Sequence, residues 1–166
     1  MSIAFIGLGS NLNDPELQIK QALVAIGQLP ESSIERISSL YFSRPMGPQD
    51  QPDYMNAVVA IETELAPLAL LDQLQAIENQ AGRVRKDNRW GARVLDLDIL
   101  LFDDICIDND RLTVPHYGLK QREFVLLPLA EIAPQLQLPD GDSIKQLAEN
   151  IPVNGLKIHS QLSYSR

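Results

Sequence analysis

Two aspartates that are one residue apart, Asp96 and Asp98, interrupt the apolar segment RVLDLDILLFD. The segment is typical of a β-strand. Because side chains alternate along a strand, both carboxylates lie on one face, with their Cα atoms roughly 6.6 Å apart. Two anions this close either raise a pKa or require a cation. Mg²⁺ prefers oxygen ligands, and one or two carboxylates suffice when phosphates complete its coordination. The pair therefore predicts a magnesium site. The alternative is an exposed strand face on which the aspartates pair with arginines.

A cluster of cations lies directly before this strand. Five of the fourteen Lys and Arg residues of the chain fall within eleven positions: Arg83, Arg85, Lys86, Arg89 and Arg93. The formal net charge of the chain is -8, which makes it a poor general binder of nucleic acid. A basic cluster beside paired carboxylates instead favours a small polyanion such as a nucleotide polyphosphate. The alternative is a solvated, charged loop.

A flat, hydrogen-bonding heterocycle is the second kind of ligand that the side chains predict. Tyr54 and Asn56 are two residues apart on a predicted strand, so both face the same way. An aromatic face beside an amide suits a planar ring, and Phe124 would close the other side of a sandwich. Trp90, inside the basic cluster, either packs on a ligand ring or anchors its own loop. Four residues whose side chains can donate to a phosphate follow downstream: Arg111, His116, Tyr117 and Arg122. The alternative for His116 is a structural role.

Hydrophobic periodicity orders the elements that must position these residues. IAFIGLGS predicts a strand that ends in a tight glycine turn, and NDPELQIKQALVAIGQL a helix capped by Asp14 with Pro15 in its first turn. The segments SSIERISSLYFS and YMNAVVAIETE predict strands, and PLALLDQLQAIENQAG a helix, before the strand with the aspartates. This β-α-β-β-α-β order predicts an α+β, ferredoxin-like fold, a mostly antiparallel sheet flanked by helices on one face, with C-terminal additions.

Strict alternation along the strand with the aspartates assigns its side chains to two faces. The core face holds Leu95, Leu97, Ile99 and Leu101. The other face holds Val94, Asp96, Asp98, Leu100 and Phe102. Beyond this strand, REFVLLPLAEIAP and DGDSIKQLAENI predict two short helices, the first limited by Pro128.

Composition constrains the setting of the protein. The chain has 166 residues and one cysteine, Cys106, which excludes an internal disulfide. It shows no signal peptide and no apolar run near the ~20 residues that span a bilayer. We expect a single domain, residues 1–166, that acts as a cytoplasmic monomer on small molecules, with no nucleic-acid or membrane partner.

Six ordered motifs resemble the 6-hydroxymethyl-7,8-dihydropterin pyrophosphokinase family. They are GLGSNL, GPQDQPDYMNA, GRVR, RWGARVLDLDILLF, RLTVPHY and PHYGLKQREF, the fourth being the most specific. The resemblance implies transfer of a diphosphate from ATP to the hydroxymethyl oxygen of a reduced pterin, which yields AMP and the pterin diphosphate for folate biosynthesis. The alternatives are another Mg-dependent nucleotide hydrolase or transferase with the same carboxylate pair, and a non-enzymatic module that binds RNA or a small regulator.

The resemblance also implies roles for individual residues. Two Mg²⁺ ions would be held by Asp96 and Asp98, with Arg83 and Arg93 as the catalytic cations. The ATP site would comprise Gln75, Glu78, Arg85, Trp90, Arg93, Ile99, Arg111, Leu112, Thr113, His116, Tyr117 and Arg122. The pterin site would comprise Ser43, Pro45, Met46, Tyr54, Asn56, Trp90 and Phe124. The chain departs from the family pattern at Ser43, commonly Thr, and at Ala92, commonly Pro.

Overall fold

The structure is a computed structural model, and it describes residues 1–12, 14–43, 54–82 and 94–163. The described residues contain eight strands and four helices, with a short 3-10 helix at Leu119–Gln121. In chain order they are β1 (Ser2–Ser10), α1 (Pro15–Gly27), β2 (Ser32–Ile37), β3 (Leu40–Ser43), β4 (Tyr54–Thr63), α2 (Pro67–Gln80), β5 (Asp96–Phe102), β6 (Ile107–Asp108), β7 (Thr113–Val114), α3 (Glu123–Ile132), α4 (Ile144–Asn150) and β8 (Lys157–Ser160).

A single six-stranded sheet organises the fold. Its strand order is β5-β1-β4-β3-β8, with β2 pairing to β4 beside β3, and every pairing is antiparallel. The arrangement of the first five strands and of α1 and α2 confirms the ferredoxin-like prediction. The hairpin of β6 and β7, helices α3 and α4, and strand β8 are the C-terminal additions. No helix among the described residues is long and apolar enough to cross a membrane.

Helices cover both faces of the sheet, so the expectation that they pack on one face is wrong. One core joins α1 and α2 to side chains such as Ile6, Val59 and Leu97. A second core joins α3 and α4 to side chains such as Val58 and Leu100 on the other face. The second layer is built from the C-terminal additions, whose packing partner a local pattern does not reveal.

Helix α1 forms as its sequence predicts. The Asp14 carboxylate accepts a hydrogen bond from the Leu17 backbone N–H at 3.4 Å, which satisfies one of the free donors of the first turn. Pro15, which has no N–H to satisfy, begins the helix. The stripe that includes Ile19 and Ile26 is completely buried, and this burial fixes the helix on the sheet.

The segment SSIERISSLYFS forms two strands rather than the one predicted. From Ile37 to Tyr41 the chain advances four residues, whereas β4 advances three between their partners Val59 and Asn56. The extra residue falls at Ser38–Ser39, outside both strands. There the Val58 N–H donates to Ser38 Oγ at 2.9 Å, so a side chain replaces a backbone partner at the break.

A β-bulge changes the faces of β5 and makes part of the predicted alternation wrong. Phe5 pairs with Leu101 and Ile6 pairs with Ile99, so Leu100 is an extra residue on β5. In consequence Leu101 packs on the α3 side together with Leu100, and Phe102 packs in the core under α1 and α2. The assignments of Leu95, Leu97, Ile99 and the two aspartates hold because they precede the bulge.

Candidate active site

A pocket opens on the α3 side of the sheet, beside the end of β4 that begins at Tyr54. Its volume is about 150 Å³, and it is bounded by β1, β3, β4, β5, the first turn of α3 and the segment that precedes it. It brings together eight of the site residues that were predicted from the sequence: Ser43, Tyr54, Asn56, Asp96, Asp98, His116, Arg122 and Phe124. These residues come from four separate stretches of the chain, and the sheet is what assembles them.

The carboxylate pair lies at one end of this pocket. Asp96 and Asp98 are partly buried on the same face of β5, as alternation predicts. Their direct partners on β1 are Gly9 and Gly7. Since glycine has no side chain, no side chain of β1 fills the pocket beside the two carboxylates.

The glycines correct a second prediction, because GLGS lies inside β1 and forms no turn. Gly9 is the more constrained of the two: a Cβ atom there would lie 3.1 Å from Asn56 Nδ2. A side chain would therefore press on the amide of the pocket. The glycine-rich signal was present in the sequence, but its meaning was close approach within a strand rather than chain reversal.

Glu78 anchors the strand that carries the aspartates. Its carboxylate is buried on α2, and Oε2 accepts a hydrogen bond from the Leu97 backbone N–H at 2.7 Å. Leu97 is the residue between Asp96 and Asp98, and β5 is the end strand of the sheet. The contact therefore fixes the outer edge of β5 at the residue that lies between the two carboxylates.

His116 is held by its backbone and by one ring nitrogen. Its N–H donates to the carbonyl of the bulge residue Leu100 at 3.0 Å, and its Nδ1 accepts from the Gly118 N–H at 3.1 Å. Nε2 lies 3.9 Å from Asp98 Oδ2. Burial lowers the pKa of His116; the Asp98 carboxylate opposes this and the Arg122 guanidinium adds to it. Because Nδ1 accepts the Gly118 hydrogen bond, the proton of the neutral form of the ring is on Nε2, which faces Asp98.

The Arg122 guanidinium lies against two aromatic rings. Its carbon is 5.5 Å from the centroid of Tyr117 and 5.7 Å from that of Phe124. Tyr117 in turn stacks on His116, with centroids 4.5 Å apart. Gly118 leaves room for this arrangement, since a Cβ atom there would lie 2.6 Å from Arg122 Nε. Gly118 is not among the residues predicted from the sequence, where its only signal is its position between the predicted residues Tyr117 and Arg122.

A polar and aromatic wall forms the other end of the pocket. The Ser43 hydroxyl donates to Asn56 Oδ1 at 3.0 Å, and both residues are buried. This bond orients the amide so that its NH₂ group is the part directed at Gly9. Tyr54 lies two residues before Asn56 on β4, and Phe124 approaches from α3.

A second group of selected residues lies outside this pocket, near the hairpin of β6 and β7. Arg111 Nη2 contacts Asp72 Oδ1 at 2.5 Å and Gln75 Oε1 at 3.3 Å, which joins the hairpin to α2. The Leu112 and Ile99 side chains are buried in the core under α1 and α2. The selected residues that do not line the pocket are Gln75, Glu78, Ile99, Arg111, Leu112, Thr113 and Tyr117. Pro45, Met46, Arg83, Arg85, Trp90, Ala92 and Arg93 lie outside the described residues.

The donor set of the pocket fits a hard divalent cation. Within the described ranges, no group of three or more His, Cys, Asp or Glu side chains could hold a metal. Two carboxylates on one strand face supply oxygen ligands alone. That number suits Mg²⁺, which keeps several waters or takes phosphate oxygens of a substrate. Zinc sites take three or four protein ligands, which is more than the two carboxylates that the described residues bring together here.

The sequence of the chain matches a family of known proteins. Residues 5–134 match the family described as 7,8-dihydro-6-hydroxymethylpterin-pyrophosphokinase (HPPK). The 2-amino-4-hydroxy-6-hydroxymethyldihydropteridine pyrophosphokinase of Haemophilus influenzae is 57% identical over 149 residues, which is 90% of this chain and 92% of that protein. The protein of the same name from Pseudomonas aeruginosa is 53% identical over 153 residues, covering 92% of this chain and 94% of the relative.

Solved structures show the same fold. The crystal structure of Plasmodium falciparum HPPK-DHPS wild type with pteroate superposes with a TM-score of 0.71 at 16% sequence identity. The match covers 89% of this chain and 42% of that chain, so the present protein spans less than half of its length.

Proposed function

We infer that this protein, which belongs to the 7,8-dihydro-6-hydroxymethylpterin-pyrophosphokinase family, transfers a diphosphate from ATP to the hydroxymethyl group of 6-hydroxymethyl-7,8-dihydropterin in folate biosynthesis. The observation that carries the proposal is one pocket with two kinds of wall. Asp96 and Asp98 line one end, and the Tyr54, Asn56 and Phe124 side chains line the other. A phosphate-bearing substrate and a flat heterocycle can therefore meet in it.

The carboxylate end of the pocket is the proposed metal and phosphate site. Asp96 and Asp98 would hold two Mg²⁺ ions, which supply charge neutralisation to the phosphates when bound. His116 offers its Nε2 proton beside Asp98, and Arg122 contributes a guanidinium. Arg83, Arg85 and Arg93 from the basic cluster are proposed as further phosphate contacts, with Arg83 and Arg93 catalytic.

The nucleoside is proposed to lie at the outer edge of β5. Backbone groups near Ile99, Leu112 and Thr113 would bind the adenine, because β5 is the end strand and β7 of the hairpin contacts it. Gln75 and Glu78 on α2, with Arg111, would border the same region. Tyr117, which is exposed and stacked on His116, is available to a phosphate at the rim.

The pterin is proposed to lie between the rings of Tyr54 and Phe124, since aromatic side chains favour planar partners. The Asn56 amide, oriented by the Ser43 hydroxyl, would donate to a ring heteroatom. Pro45, Met46 and Trp90 are proposed to complete the enclosure.

The proposed reaction is an in-line displacement. The hydroxymethyl oxygen forms a bond to the β-phosphorus of ATP, and the bond from that phosphorus to the oxygen bridging the α-phosphate breaks. AMP leaves with the bridging oxygen, and the hydroxyl proton is released. Such transfers depend mainly on positioning and on stabilisation of charge. The pocket supports this because carboxylates, a guanidinium and aromatic rings border the same space.

A product assay tests the proposal. Incubation with ATP, Mg²⁺ and 6-hydroxymethyl-7,8-dihydropterin should yield AMP and the pterin diphosphate in equal amounts. Release of ADP and phosphate, or of free pyrophosphate, would instead support the alternative of a nucleotide hydrolase. AMP formation that does not depend on the pterin would also contradict the proposal.

The carboxylate assignment has its own variant. Asp98→Asn should lower turnover by about a hundredfold or more, the scale of losing one group that stabilises charge in the transition state. Asp104→Asn is the matched control, since Asp104 is exposed just beyond the end of β5. Retention of most of the activity in Asp98→Asn would overturn the metal assignment.

We further propose that residues 1–166 act as one domain and as a cytoplasmic monomer.

A further inference from the structure

Helix α3 forms one wall of the pocket and carries residues of interest at both of its ends. Phe124 lies in its first turn and Glu131 in its last turn. Seven residues separate them, which is nearly two turns and about 10.5 Å, so both belong to one stripe of the helix. A contact that fixes Glu131 therefore also fixes the rotation of the helix, and with it the direction of the Phe124 ring.

Glu131 is hydrogen-bonded to the strand that bears Ser43. Its Oε1 accepts from the Ser39 N–H at 2.9 Å and from the Tyr41 hydroxyl at 2.7 Å. Its Oε2 accepts from the Ser39 hydroxyl at 2.7 Å. Beside it, Arg36 Nη1 donates to the Ile132 carbonyl at 2.6 Å. The last turn of α3 is thus joined to β2, to the break after it and to β3.

Tyr41 connects this joint to the opposite wall of the pocket. It is the direct cross-strand partner of Asn56, and it is two residues before Ser43, so the three side chains share one face. Tyr41 is 6% exposed, and its hydroxyl is therefore committed to the contact it makes. Burial raises the pKa of Tyr41, and the Glu131 carboxylate raises it further, so the phenol stays protonated and donates.

We propose that the Tyr41–Glu131 hydrogen bond is a positioning contact that sets the gap between Phe124 and the Tyr54–Asn56 wall, and so tunes affinity for the pterin. The proposal rests on the proposed function, because the gap matters only if a planar ring occupies it. Neither Tyr41 nor Glu131 lines the pocket, so both act through the residues that do. The proposed adenine region on β5 and α2 lies at the opposite end of the strand order from β3, away from this joint. Arg122, a proposed phosphate contact, directly precedes α3, so the nucleotide should be affected, but less than the pterin.

Tyr41→Phe isolates the contact, since it removes one hydroxyl and keeps the buried ring. We expect the Kd of 6-hydroxymethyl-7,8-dihydropterin, measured calorimetrically with a nonhydrolysable ATP analogue present, to rise about fivefold, the scale of one aromatic stacking contact. The Kd of the ATP analogue alone should stay within about twofold of wild type. Glu131→Ala also removes the two Ser39 contacts, so it should weaken pterin binding at least as much as Tyr41→Phe. Glu131→Gln should recover most of the affinity because its amide oxygen still accepts.

A control substitution at the other end of β4 separates positioning from general loosening. Ser32→Ala removes the hydroxyl contact with Thr63 Oγ1 at 2.6 Å, at the end of β4 far from the pocket. It should leave both affinities unchanged. Should Tyr41→Phe be too unstable to assay, the comparison of Glu131→Ala with Glu131→Gln makes the same test.

The outcomes are distinguishable. Unchanged pterin affinity in Tyr41→Phe, or equal weakening of both ligands, overturns the positioning proposal. Absence of pterin binding to the wild-type protein overturns the proposed function itself, whatever the variants do.

Discussion

The buried contact between α2 and β5 invites a direct test, the substitution Glu78→Ala. Glu78 is 6% exposed, and its carboxylate accepts the Leu97 N–H at 2.7 Å. Alanine removes the acceptor and leaves that N–H without it at the edge of the sheet. A hydrogen bond to a charged group contributes ~1.5–3 kcal/mol, so we expect a loss of about 2–3 kcal/mol in the free energy of unfolding. For a chain of this size that lowers Tm by roughly 4–12 °C.

The same substitution should affect the metal requirement. Leu97 lies between Asp96 and Asp98, so loss of its tether lets the two carboxylates move apart. Partners behind metal ligands typically contribute about tenfold or more to metal affinity. We therefore expect the half-saturating Mg²⁺ concentration to rise by about tenfold in a steady-state assay.

Glu78→Gln is the control, because its amide oxygen can still accept from Leu97 and a neutral acceptor retains ~0.5–1.5 kcal/mol. Urea unfolding and Mg²⁺ titration of both variants would decide the matter. If Glu78→Ala unfolds at the wild-type urea concentration, the contact carries no free energy and the reasoning fails. If stability falls while the Mg²⁺ requirement does not move, the contact supports the fold alone.

Two further predictions concern the segment after β7. Gly118→Ala would place a Cβ atom 2.6 Å from Arg122 Nε, so the guanidinium must leave its aromatic neighbours. We expect the affinity for ATP to fall about fivefold. An unchanged Kd for ATP would contradict the role of Arg122. Lys120 lowers the pKa of Asp140 from its usual 3.8 by hydrogen bonding, so the pair stabilises the fold above that pH and ceases to as pH falls through the lowered pKa. Asp140→Asn should therefore be slightly less stable than wild type near neutral pH and equal to it in strong acid, and a difference that persists in acid would refute this.

Local signals account for the parts of the fold that the sequence predicted. The cap at Asp14 and the apolar stripe of α1 act within a few residues of chain, so the helix follows from its own segment. The placement of Asp96 and Asp98 on one face follows from alternation, which needs no knowledge of a partner strand. The pocket then appears because β1 pairs with β4 on one side and with β5 on the other.

Non-local pairing explains the parts that the sequence analysis had wrong. The bulge at Leu100 exists because β1 offers one residue fewer than β5 between two pairs, and no pattern within β5 shows that. The sequence predicts a turn at the glycines of β1 because their partners, the two aspartates, lie about ninety residues away and leave no local signal. The anchoring contact of Glu78 likewise joins two elements whose approach only the assembled sheet determines.

Strand β8 has a consequence for how molecules of this protein behave toward one another. It pairs along Leu40–Phe42 of β3 and so occupies backbone groups that would otherwise form an open sheet edge. Open edges are templates for pairing between chains and hence for aggregation. The edge that β8 presents in turn is four residues long and carries Lys157, both of which discourage such pairing. The last strand thus keeps separate molecules from associating through this edge, as well as extending the sheet.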